Sequence, residues 1–493
     1  MNTIDFVIFL LFTAGVVVFG CSFWKRGASA EELTSAGHSL PGWLVGMSIF
    51  ATYVSSISYI GYPGKAFAGN WNAFVFSLSI PIASYFAAKY FVPFYRGSGS
   101  VSAYAFLEER FGVWARIYAS ACYLLTQIAR MGSILYLLAV PMYILMGWNI
   151  HAVIIATSVA IIIYSMLGGI KAVIWTDAIQ GFILIVGALF CLILLFVNMP
   201  QGPGQLFELA IHSPEGNKFS LGSFSGELTT STFWICLIYG IFINLQNYGI
   251  DQNYVQRYHT AKDMKAARFS ALFGGYLFIP VSALFFLIGT ALYSYYTIHP
   301  GLLPAAIAAK PDYVFPYFIV NGLPVGLRGL LIASIFAAGM STVATSITSA
   351  STIILTDYVK PFTKVHSDRR DVLVLKGSSI GVGVLGIIVA IAMLSVESII
   401  DAWWTLSSIF SGGMLGLFLL GYCARRAGKI HAIVAVTCGV IVIAWISLAE
   451  PLGLPGIHVH EYLAIVLGTM VIFVVGFFLT YLLKITNTNR LTN

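Results

Sequence analysis

Apolar runs long enough to cross a bilayer follow one another along this chain, with short polar segments between them. An α-helix of about 20 apolar residues spans the hydrocarbon core of a membrane. Only 9% of the 493 residues are charged, whereas soluble proteins carry about a quarter. The sequence therefore predicts an all-α polytopic membrane protein and excludes secreted, fibrous, disordered and nucleic-acid-binding classes. About thirteen spans are expected, at residues 4–23, 42–67, 71–94, 115–146, 151–168, 174–198, 232–250, 266–294, 326–356, 372–394, 400–423, 430–449 and 460–483.

The basic residues set the orientation of these spans. With the N-terminus outside, 21 of the 26 Lys and Arg residues fall in inner connections, four fall in outer ones, and Arg130 is left in mid-membrane. Basic residues collect on the cytoplasmic side of membrane proteins. We therefore expect the N-terminus outside and the C-terminus in the cytoplasm. Because no connecting loop is long enough for a second domain, a single transmembrane domain over residues 1–493 is expected.

Two of the predicted spans carry residues that interrupt a helix. The run IFATYVSSISYIGYPGKAF places several Ser and Thr residues mid-membrane, followed by a Gly-Tyr-Pro-Gly segment at 61–64. Five spans later, the run YGIFINLQNYGIDQNYVQRY places Asn244, Gln246 and Asn247 at the end of an apolar segment. This spacing is typical of two inverted five-helix repeats that each begin with a discontinuous helix beside a central site. The alternative for either segment alone is a kinked helix whose hydroxyls bond to their own backbone.

A column of small and hydroxylated residues runs along one face of the span at 326–356. Ala338, Ser341, Thr342 and Thr345 follow the spacing i, i+3, i+4, i+7, so they share that face. Neutral oxygens in such a column suit a monovalent cation, because they can replace its hydration shell. The alternative is a helix-packing face of small residues.

Two ionisable residues, Arg130 and Asp177, bear on the function. Arg130 lies deep in the run LLTQIARMGSILYLL, where a guanidinium offers a planar fork that matches a carboxylate. The alternative role for Arg130 is a structural ion pair. Asp177, in GGIKAVIWTDAIQG, is expected either to bind a cation or to serve as a favourable acid at a helix N-terminus.

Four segments together resemble the sodium:solute symporter family, whose members carry sugars, proline, pantothenate or sialic acid with sodium. The resemblance covers nearly the whole chain and rests on FATYVSSISYIGYPGKAF at 50–67, MLGGIKAVIWTDAIQG at 166–181, DQNYVQRY at 251–258 and FAAGMSTVATSITSAS at 336–351. It implies a LeuT-like inverted repeat of five plus five helices within 42–423, an extra N-terminal helix at 4–23 and extra C-terminal helices at 430–483. It also implies a carrier of the bacterial inner membrane that is not an enzyme and needs no obligate protein partner.

The resemblance further implies where sodium binds. A principal Na+ site would be made by backbone oxygens and hydroxyls of Ala51, Val54, Ala338, Ser341 and Thr342. A second site, present in some members, would use Asp177, Ser341 and Thr345, but Ala344 stands where a further oxygen ligand is expected. We therefore expect one well-defined sodium site and a weaker second one.

The substrate site also follows from the resemblance. Arg130 matches the arginine that holds the substrate carboxylate in sialic acid carriers of the family. Further cavity residues are implied at Ser55, Ser56, Ser58, Gln127, Asn244 and Asn247, and at Ser77, where the sialic acid members carry a glutamine. The Gln-Glu-Tyr stretch of sodium/sugar carriers is absent near Trp403 and Trp404, which disfavours a neutral hexose. The predicted function is sodium-coupled import of a small carboxylate by alternating access, with sialic acid (N-acetylneuraminate) or a related sugar acid preferred.

Two other interpretations stay open. A sodium symporter of the same family for a monocarboxylate, proline, pantothenate or a sugar would use the same architecture. A membrane sensor, channel or membrane-embedded enzyme belongs to a different class. Against that class, the sequence shows no intramembrane His cluster or nucleophile–base motif and leaves no room for a sensor's output domain. Interrupted helices in inverted repeats favour alternating access over a channel.

Overall fold

The computed structural model describes residues 2–25, 27–363, 367–395, 407, 409, 411, 413–449, 455–456 and 459–487. Within these ranges, the side chains of 56–57, 140–141, 144–146, 395 and 483–487 fall outside the description. The described chain is helical throughout, apart from turns and one isolated bridge between Leu40 and Ala261. The expectation of an all-α chain is confirmed over these residues.

The α-helices are, in chain order, α1 Thr3–Cys21, α2 Ala30–Ser35, α3 Gly42–Tyr53, α4 Ser56–Ala68, α5 Phe74–Leu78, α6 Ile80–Phe86, α7 Val92–Ser98, α8 Ala105–Phe111, α9 Val113–Met146, α10 Ile150–Val197, α11 Pro203–Ile211, α12 Phe233–Ile250, α13 Gln252–Thr260, α14 Met264–Ile298, α15 Ala305–Ala308, α16 Pro311–Asn321, α17 Leu327–Ile353, α18 Asp368–Ala392, α19 Met414–Cys423, α20 Lys429–Leu448 and α21 Leu463–Asn487. Short 3-10 and π segments join several of them, notably at Trp71–Ala73, Ala87–Phe91 and Ile354–Val359.

Ten helices among the described residues are long and apolar enough to cross a membrane, or eleven if α3 and α4 count as one bent span. The sequence places two spans where α10 runs as one element of 48 residues. Gly169 interrupts that element, with φ 58° and ψ −157°, so it comprises two segments. A Cβ at Gly169 would lie 2.7 Å from the Leu33 carbonyl oxygen, which explains why this position is glycine. The predicted span at 400–423 falls largely outside the described residues, leaving the short helix α19 at its end.

Both predicted interruptions are present. α3 and α4 are separated at Val54 and Ser55, and the two helices are bent by 54°. α12 and α13 are separated at Asp251, a few residues after the amide side chains that signal the break in the sequence. The two breaks have nearly the same backbone geometry, φ −76° and ψ 108° at Val54 and φ −77° and ψ 126° at Asp251. Both expectations of a discontinuous helix are therefore confirmed.

Helix α17 forms the centre of the molecule. All of its residues from Leu331 to Ile353 are buried, and it packs against α1, α3, α9, α10 and α18. The first helix is fixed to the start of α17 by Asp5, whose Oδ1 accepts hydrogen bonds from the amides of Gly326 at 2.7 Å and Gly329 at 3.2 Å. A carboxylate at a helix N-terminus is favourable because it meets unpaired amides there.

Candidate substrate cavity and sodium site

The break between α3 and α4 leaves backbone carbonyls without helical partners. α3 ends at Tyr53 and the chain is extended at Val54, and the last carbonyls of a helix lack donors within the helix. The carbonyl of Thr52 accepts a hydrogen bond from Arg130 at 3.2 Å, and that of Ala51 lies 3.5 Å from the Ser341 hydroxyl. The break thus presents carbonyl oxygens to polar groups from two other helices.

A cavity of about 230 Å³ lies against this break, with Tyr53 and Ser55 in its wall. Its wall combines aromatic rings with hydroxyl, amide and charged groups from α4, α9, α12 and the start of α13. Ligand cavities typically pair an apolar wall with a few placed polar groups, so this cavity is the candidate substrate site. Its position at a discontinuous helix is the one expected of an inverted-repeat carrier.

Arg130 contributes a cationic group to the cavity wall. It projects from the interior of α9, and Nη2 donates to the Thr52 carbonyl. None of the ion pairs found among the described residues involves Arg130. A guanidinium has five N–H donors, so one bond to a carbonyl leaves a pair for a carboxylate. A structural ion pair within the described chain is therefore not its role.

Gln127 lies one helical turn before Arg130 and also lines the cavity. Its Oε1 accepts hydrogen bonds from Asn253 at 3.1 Å and from Ser346 at 2.8 Å. An amide oxygen has two lone pairs, so both are used and the NH2 group is left as the donor. Gln127 can therefore donate hydrogen bonds to a ligand oxygen.

The other predicted substrate residues fall into two groups. Ser55, Ser58 and Asn247 lie in the cavity wall. Ser77 and Asn244 are fully buried behind it: Ser77 shares a 2.7 Å hydrogen bond with Ser282, and Asn244 bonds to Tyr53 and Ser79. The side chain of Ser56, together with Trp403 and Trp404, lies outside the described part of the structure.

Sequence reasoning missed several residues of the wall, of which Asp251 is the most consequential. Asp251 occupies the break before α13, and its side chain accepts a hydrogen bond from the amide of Asn253 at 2.7 Å. An Asp followed by a polar helix is an ordinary N-cap signal, so the motif DQNYVQRY contained the information. The carboxylate of Asp251 and the guanidinium of Arg130 thus line the same cavity.

Of the predicted principal sodium residues, Ser341 on α17 lies nearest to the α3 break, with its hydroxyl 3.5 Å from the Ala51 carbonyl. Ser341 and Thr342 are fully buried on α17, and Ala338 and Ala51 are almost so. The Thr342 hydroxyl donates to the Ala338 carbonyl within α17 at 3.1 Å, and Val54 is the extended residue that follows the end of α3. Helix-end carbonyls carry partial negative charge, so the α3 end and the neighbouring Ser341 hydroxyl offer oxygens of the kind that a small cation binds; the five-residue sodium site stays a prediction.

Asp177 and Thr345, the predicted second sodium residues, are engaged by Arg257. Arg257 and Asp177 are fully buried and form an ion pair, with 2.7 Å between Nη2 and Oδ2. The same Nη2 donates to the Thr345 hydroxyl at 2.7 Å, and Nε donates to Ser48 Oγ at 2.7 Å. The interpretation of Asp177 as a helix-start acid is wrong, since it lies inside α10 beyond Gly169.

The placement of Arg257 in a cytoplasmic connection is also wrong. Every residue of α13 is buried, although its sequence QNYVQRYHT is polar. Several of its polar side chains form hydrogen bonds within the protein: Gln256 donates to the Thr34 carbonyl at 2.8 Å, and Gln252 Oε1 accepts from the Ala103 amide at 2.8 Å. Buried polar groups are tolerated when they are hydrogen-bonded, and so this segment packs inside the protein.

Comparison with known proteins agrees with this architecture. The model of the sodium:solute symporter family matches residues 34–439. The chain belongs to the sodium:solute symporter family.

Two bacterial relatives match nearly the whole chain. The chain is 30% identical over 483 residues to the sodium/sialic acid symporter NanT of Aliivibrio fischeri, covering 97% of this chain and 92% of NanT. It is 33% identical over 444 residues to the sodium/sialic acid symporter SiaT of Proteus mirabilis, covering 89% of this chain and 88% of SiaT. The sodium-coupled monocarboxylate transporter 2 of Mus musculus is 29% identical over 455 residues, covering 90% of this chain and 72% of that protein.

Solved structures confirm the fold of this family member. A substrate-bound, outward-open Na+-coupled sialic acid symporter superimposes with a TM-score of 0.91 at 31% identity, covering 98% of both chains. Mhp1, a nucleobase-cation-symport-1 family transporter, matches with a TM-score of 0.57 at 14% identity, over 92% of this chain and 94% of Mhp1. The expected family and the LeuT-like inverted-repeat fold are confirmed, whereas the roles assigned to single site residues remain predictions.

Proposed function

We propose that this chain imports sialic acid, or a related sugar acid, together with sodium across the bacterial inner membrane. The observation that carries the proposal is the Arg130 guanidinium in the wall of a cavity that adjoins a carbonyl-rich helix break. Arg130 holds the carboxylate, and Na+ binds at Ala51, Val54, Ala338, Ser341 and Thr342. The bacterial relatives named for sialic acid support the same substrate class.

The polar wall favours a polyhydroxylated acid over a simple monocarboxylate. A short monocarboxylate has one charged end and little else to bond, and would leave most of the wall unpaired. The cavity offers hydroxyls at Ser55 and Ser58, amides at Gln127 and Asn247, and aromatic faces at Tyr53 and Tyr123. A site built to hydrogen-bond hydroxyl groups discriminates strongly against ligands that lack them.

The position of the two proposed sites accounts for coupling between them. Sodium contacts the end of α3, and substrate contacts Ser55 and Ser58 immediately after the same break. An ion that fixes the carbonyls at 51 and 54 also fixes the direction in which α4 starts. Because coupling between two ligands is reciprocal, substrate raises sodium affinity by the same factor by which sodium raises substrate affinity. Binding of both precedes the change from outward to inward access.

A second candidate substrate is a zwitterion such as proline, and one observation favours it. Asp251 lines the same cavity as Arg130, so the described part of the wall contains a carboxyl group and a guanidinium. However, the carboxylate of Asp251 also caps α13, where the helix amides offset part of its charge.

Uptake by the purified protein in proteoliposomes tests the proposal. We expect labelled N-acetylneuraminate to accumulate under an inward Na+ gradient and not when K+ replaces Na+. Unlabelled N-acetylneuraminate should compete, whereas lactate, proline, pantothenate and glucose should not. Competition by proline alone would instead support the zwitterion, and Na+-driven uptake of none of these solutes would contradict the proposed function.

A further inference from the structure

A second cavity lies where α19 and α21 end, on the side that the distribution of basic residues assigns to the cytoplasm. Its volume is about 250 Å³. Phe477, Thr480 and Tyr481 of α21 line it together with Arg425 and Arg426 of the turn that follows α19. It shares no described lining residue with the substrate cavity.

We propose that this cavity binds the head group of an anionic phospholipid. Arg425 and Arg426 hold the phosphate diester, and the adjoining apolar surface of α20 and α21 contacts the acyl chains. The guanidinium matches this ligand, because its planar donors form bidentate, charge-assisted hydrogen bonds with phosphate oxygens. The inference does not depend on which solute the carrier transports.

The turn after α19 presents the two arginines at the surface. The Ala427 amide donates to the Ala424 carbonyl at 2.9 Å, which closes the turn. Ala424 and Ala427 are buried, whereas Arg425 and Arg426 between them are exposed. Arg110 of α8 also donates to the Ala424 carbonyl at 2.9 Å, so the turn is fixed from a neighbouring helix. The arginine pair is therefore held in place before a ligand arrives.

The cavity exists because α21 continues past the end of α19. One turn before Thr480 the two helices approach closely, since a Cβ at Gly476 would lie 2.4 Å from Cδ2 of Leu420. α19 then ends at Cys423, while α21 runs on to Asn487. The segment of α21 that includes Thr480 is thus left without a helical neighbour from α19, and the turn encloses the space beside it.

The positive charge at this cavity is not compensated by the elements that form it. None of the ion pairs found among the described residues involves the arginine pair. The sequence contains no Asp or Glu at 402–449 or at 462–493. α8, which also packs against α19 and α20, carries Glu109 and Glu108, and Glu108 is already paired with an arginine of α9. The first turn of α20, which begins at Lys429, adds the positive end of a helix dipole.

The surface beside the arginine pair favours a lipid over a free anion. Phe478 and Leu482 of α21 are 62% and 60% exposed, and Ile430 of α20 is 69% exposed. Tyr481 in the cavity wall has the amphipathic ring that is typical of the membrane–water interface. A free phosphate would contact only the guanidiniums, whereas a phospholipid also covers the apolar side chains. Basic pockets between helices on the cytoplasmic side are known to bind anionic head groups.

Basic residues at a cytoplasmic turn also help to fix topology, but that role requires charge alone and no cavity. The two helices that form this cavity reach the substrate site at their other ends, because Met414 at the start of α19 and Tyr462 just before α21 line the substrate cavity. A lipid that bridges the cytoplasmic ends of α19 and α21 therefore restrains elements that form the substrate wall.

Native mass spectrometry of the purified protein tests the inference without sodium or substrate. We expect the wild type to retain dioleoyl-phosphatidylglycerol and not dioleoyl-phosphatidylcholine, whose head group has no net charge. Arg425→Gln/Arg426→Gln should weaken phosphatidylglycerol binding about thirty-fold, the loss expected for two basic residues near a membrane surface. The matched control is Arg369→Gln/Arg370→Gln, which removes an adjacent exposed pair at the start of α18 that lines neither cavity. It should bind phosphatidylglycerol as the wild type does.

Thr480→Trp provides a second test that keeps both arginines and fills the cavity. The Thr480 hydroxyl bonds only to the Gly476 carbonyl of its own helix, at 2.8 Å, among the described residues. We expect this variant to lose phosphatidylglycerol binding too, and it carries the test if the arginine variant does not fold.

Three results would overturn the inference. The first is undiminished phosphatidylglycerol binding in the folded arginine variant or in Thr480→Trp. The second is equal retention of phosphatidylcholine by the wild type, or an equal loss of phosphatidylglycerol in the control pair, because binding would then not depend on charge at this cavity. The third is displacement of phosphatidylglycerol by inorganic phosphate, which would identify a soluble anion as the ligand.

Discussion

Replacing Arg130 with lysine isolates the contribution of its planar fork. The guanidinium donates one hydrogen bond to the Thr52 carbonyl at 3.2 Å and keeps a pair of donors for a substrate carboxylate. Lysine retains the charge but has a single nitrogen, so it cannot reproduce both the carbonyl contact and a bidentate grip. The exchange therefore removes at least one charge-assisted hydrogen bond.

The size of the effect follows from the value of that bond. Hydrogen bonds to charged groups contribute about 1.5–3 kcal/mol, and every 1.4 kcal/mol or so changes affinity about ten-fold. We expect Arg130→Lys to weaken substrate affinity, and so to raise the half-saturating substrate concentration, by roughly ten- to a hundred-fold. Arg130→Ala should weaken substrate affinity further, because Asp251 in the same wall would then repel the substrate carboxylate without a compensating charge.

The assay is initial-rate uptake of N-acetylneuraminate in proteoliposomes at saturating sodium. Arg116→Lys is a matched control, since Arg116 lies on the same helix but pairs with Glu108 and Asp357 outside the cavity. Its substrate affinity should stay near the wild-type value. Unchanged affinity in both Arg130 variants, with sodium dependence intact, would refute the carboxylate role of Arg130.

Two further predictions concern sodium. Ser341→Ala and Thr342→Ala should each raise the half-saturating sodium concentration in uptake, because each removes one oxygen ligand. Ser334→Ala is the control on the same helix. Its hydroxyl bonds to the Leu330 carbonyl, so its loss should leave the half-saturating sodium concentration unchanged. If neither Ser341→Ala nor Thr342→Ala changes the half-saturating sodium concentration, the small and hydroxylated residues of α17 form a helix-packing face and do not bind sodium. Transport of one sodium with a sialate anion moves no net charge, so substrate should induce no current in wild-type proteoliposomes, while an inward positive current would indicate a second ion.

The interrupted helices could be predicted from the sequence because their causes are local. A continuous apolar helix is disfavoured by the Ser, Gly and Pro residues after position 54 and by the amide side chains before position 251. The exact residue of the second break was not predicted, because Asp251 acts as the N-cap of a short helix whose composition is largely polar. Ser55 and Asn247, which the family resemblance implies for the substrate site, lie near these breaks and line the cavity.

The depth of Ser77 and Asn244 could not be predicted from the sequence. Both are polar residues in apolar spans, and the sequence does not show whether a hydroxyl or amide faces a cavity or a neighbouring helix. Their partners, Ser282 and Tyr53, lie 205 and 191 residues away along the chain. Because α14 and α3 pack against these positions, the Ser77 hydroxyl and the Asn244 amide bond to protein groups and do not face the cavity.

Arg257 shows most clearly why a local pattern can mislead. Basic residues after an apolar span usually mark a cytoplasmic loop, and α13 has the composition of one. Yet Gln252, Gln256 and Arg257 of α13 all form hydrogen bonds within the protein, and the buried carboxylate of Asp177 lies 80 residues earlier in the chain. Had Asp177 been solvated, it would have needed no cation; because it is fully buried, it must have one. Two oppositely charged residues in separate motifs of the family are therefore best considered together, since neither is tolerable alone in the interior.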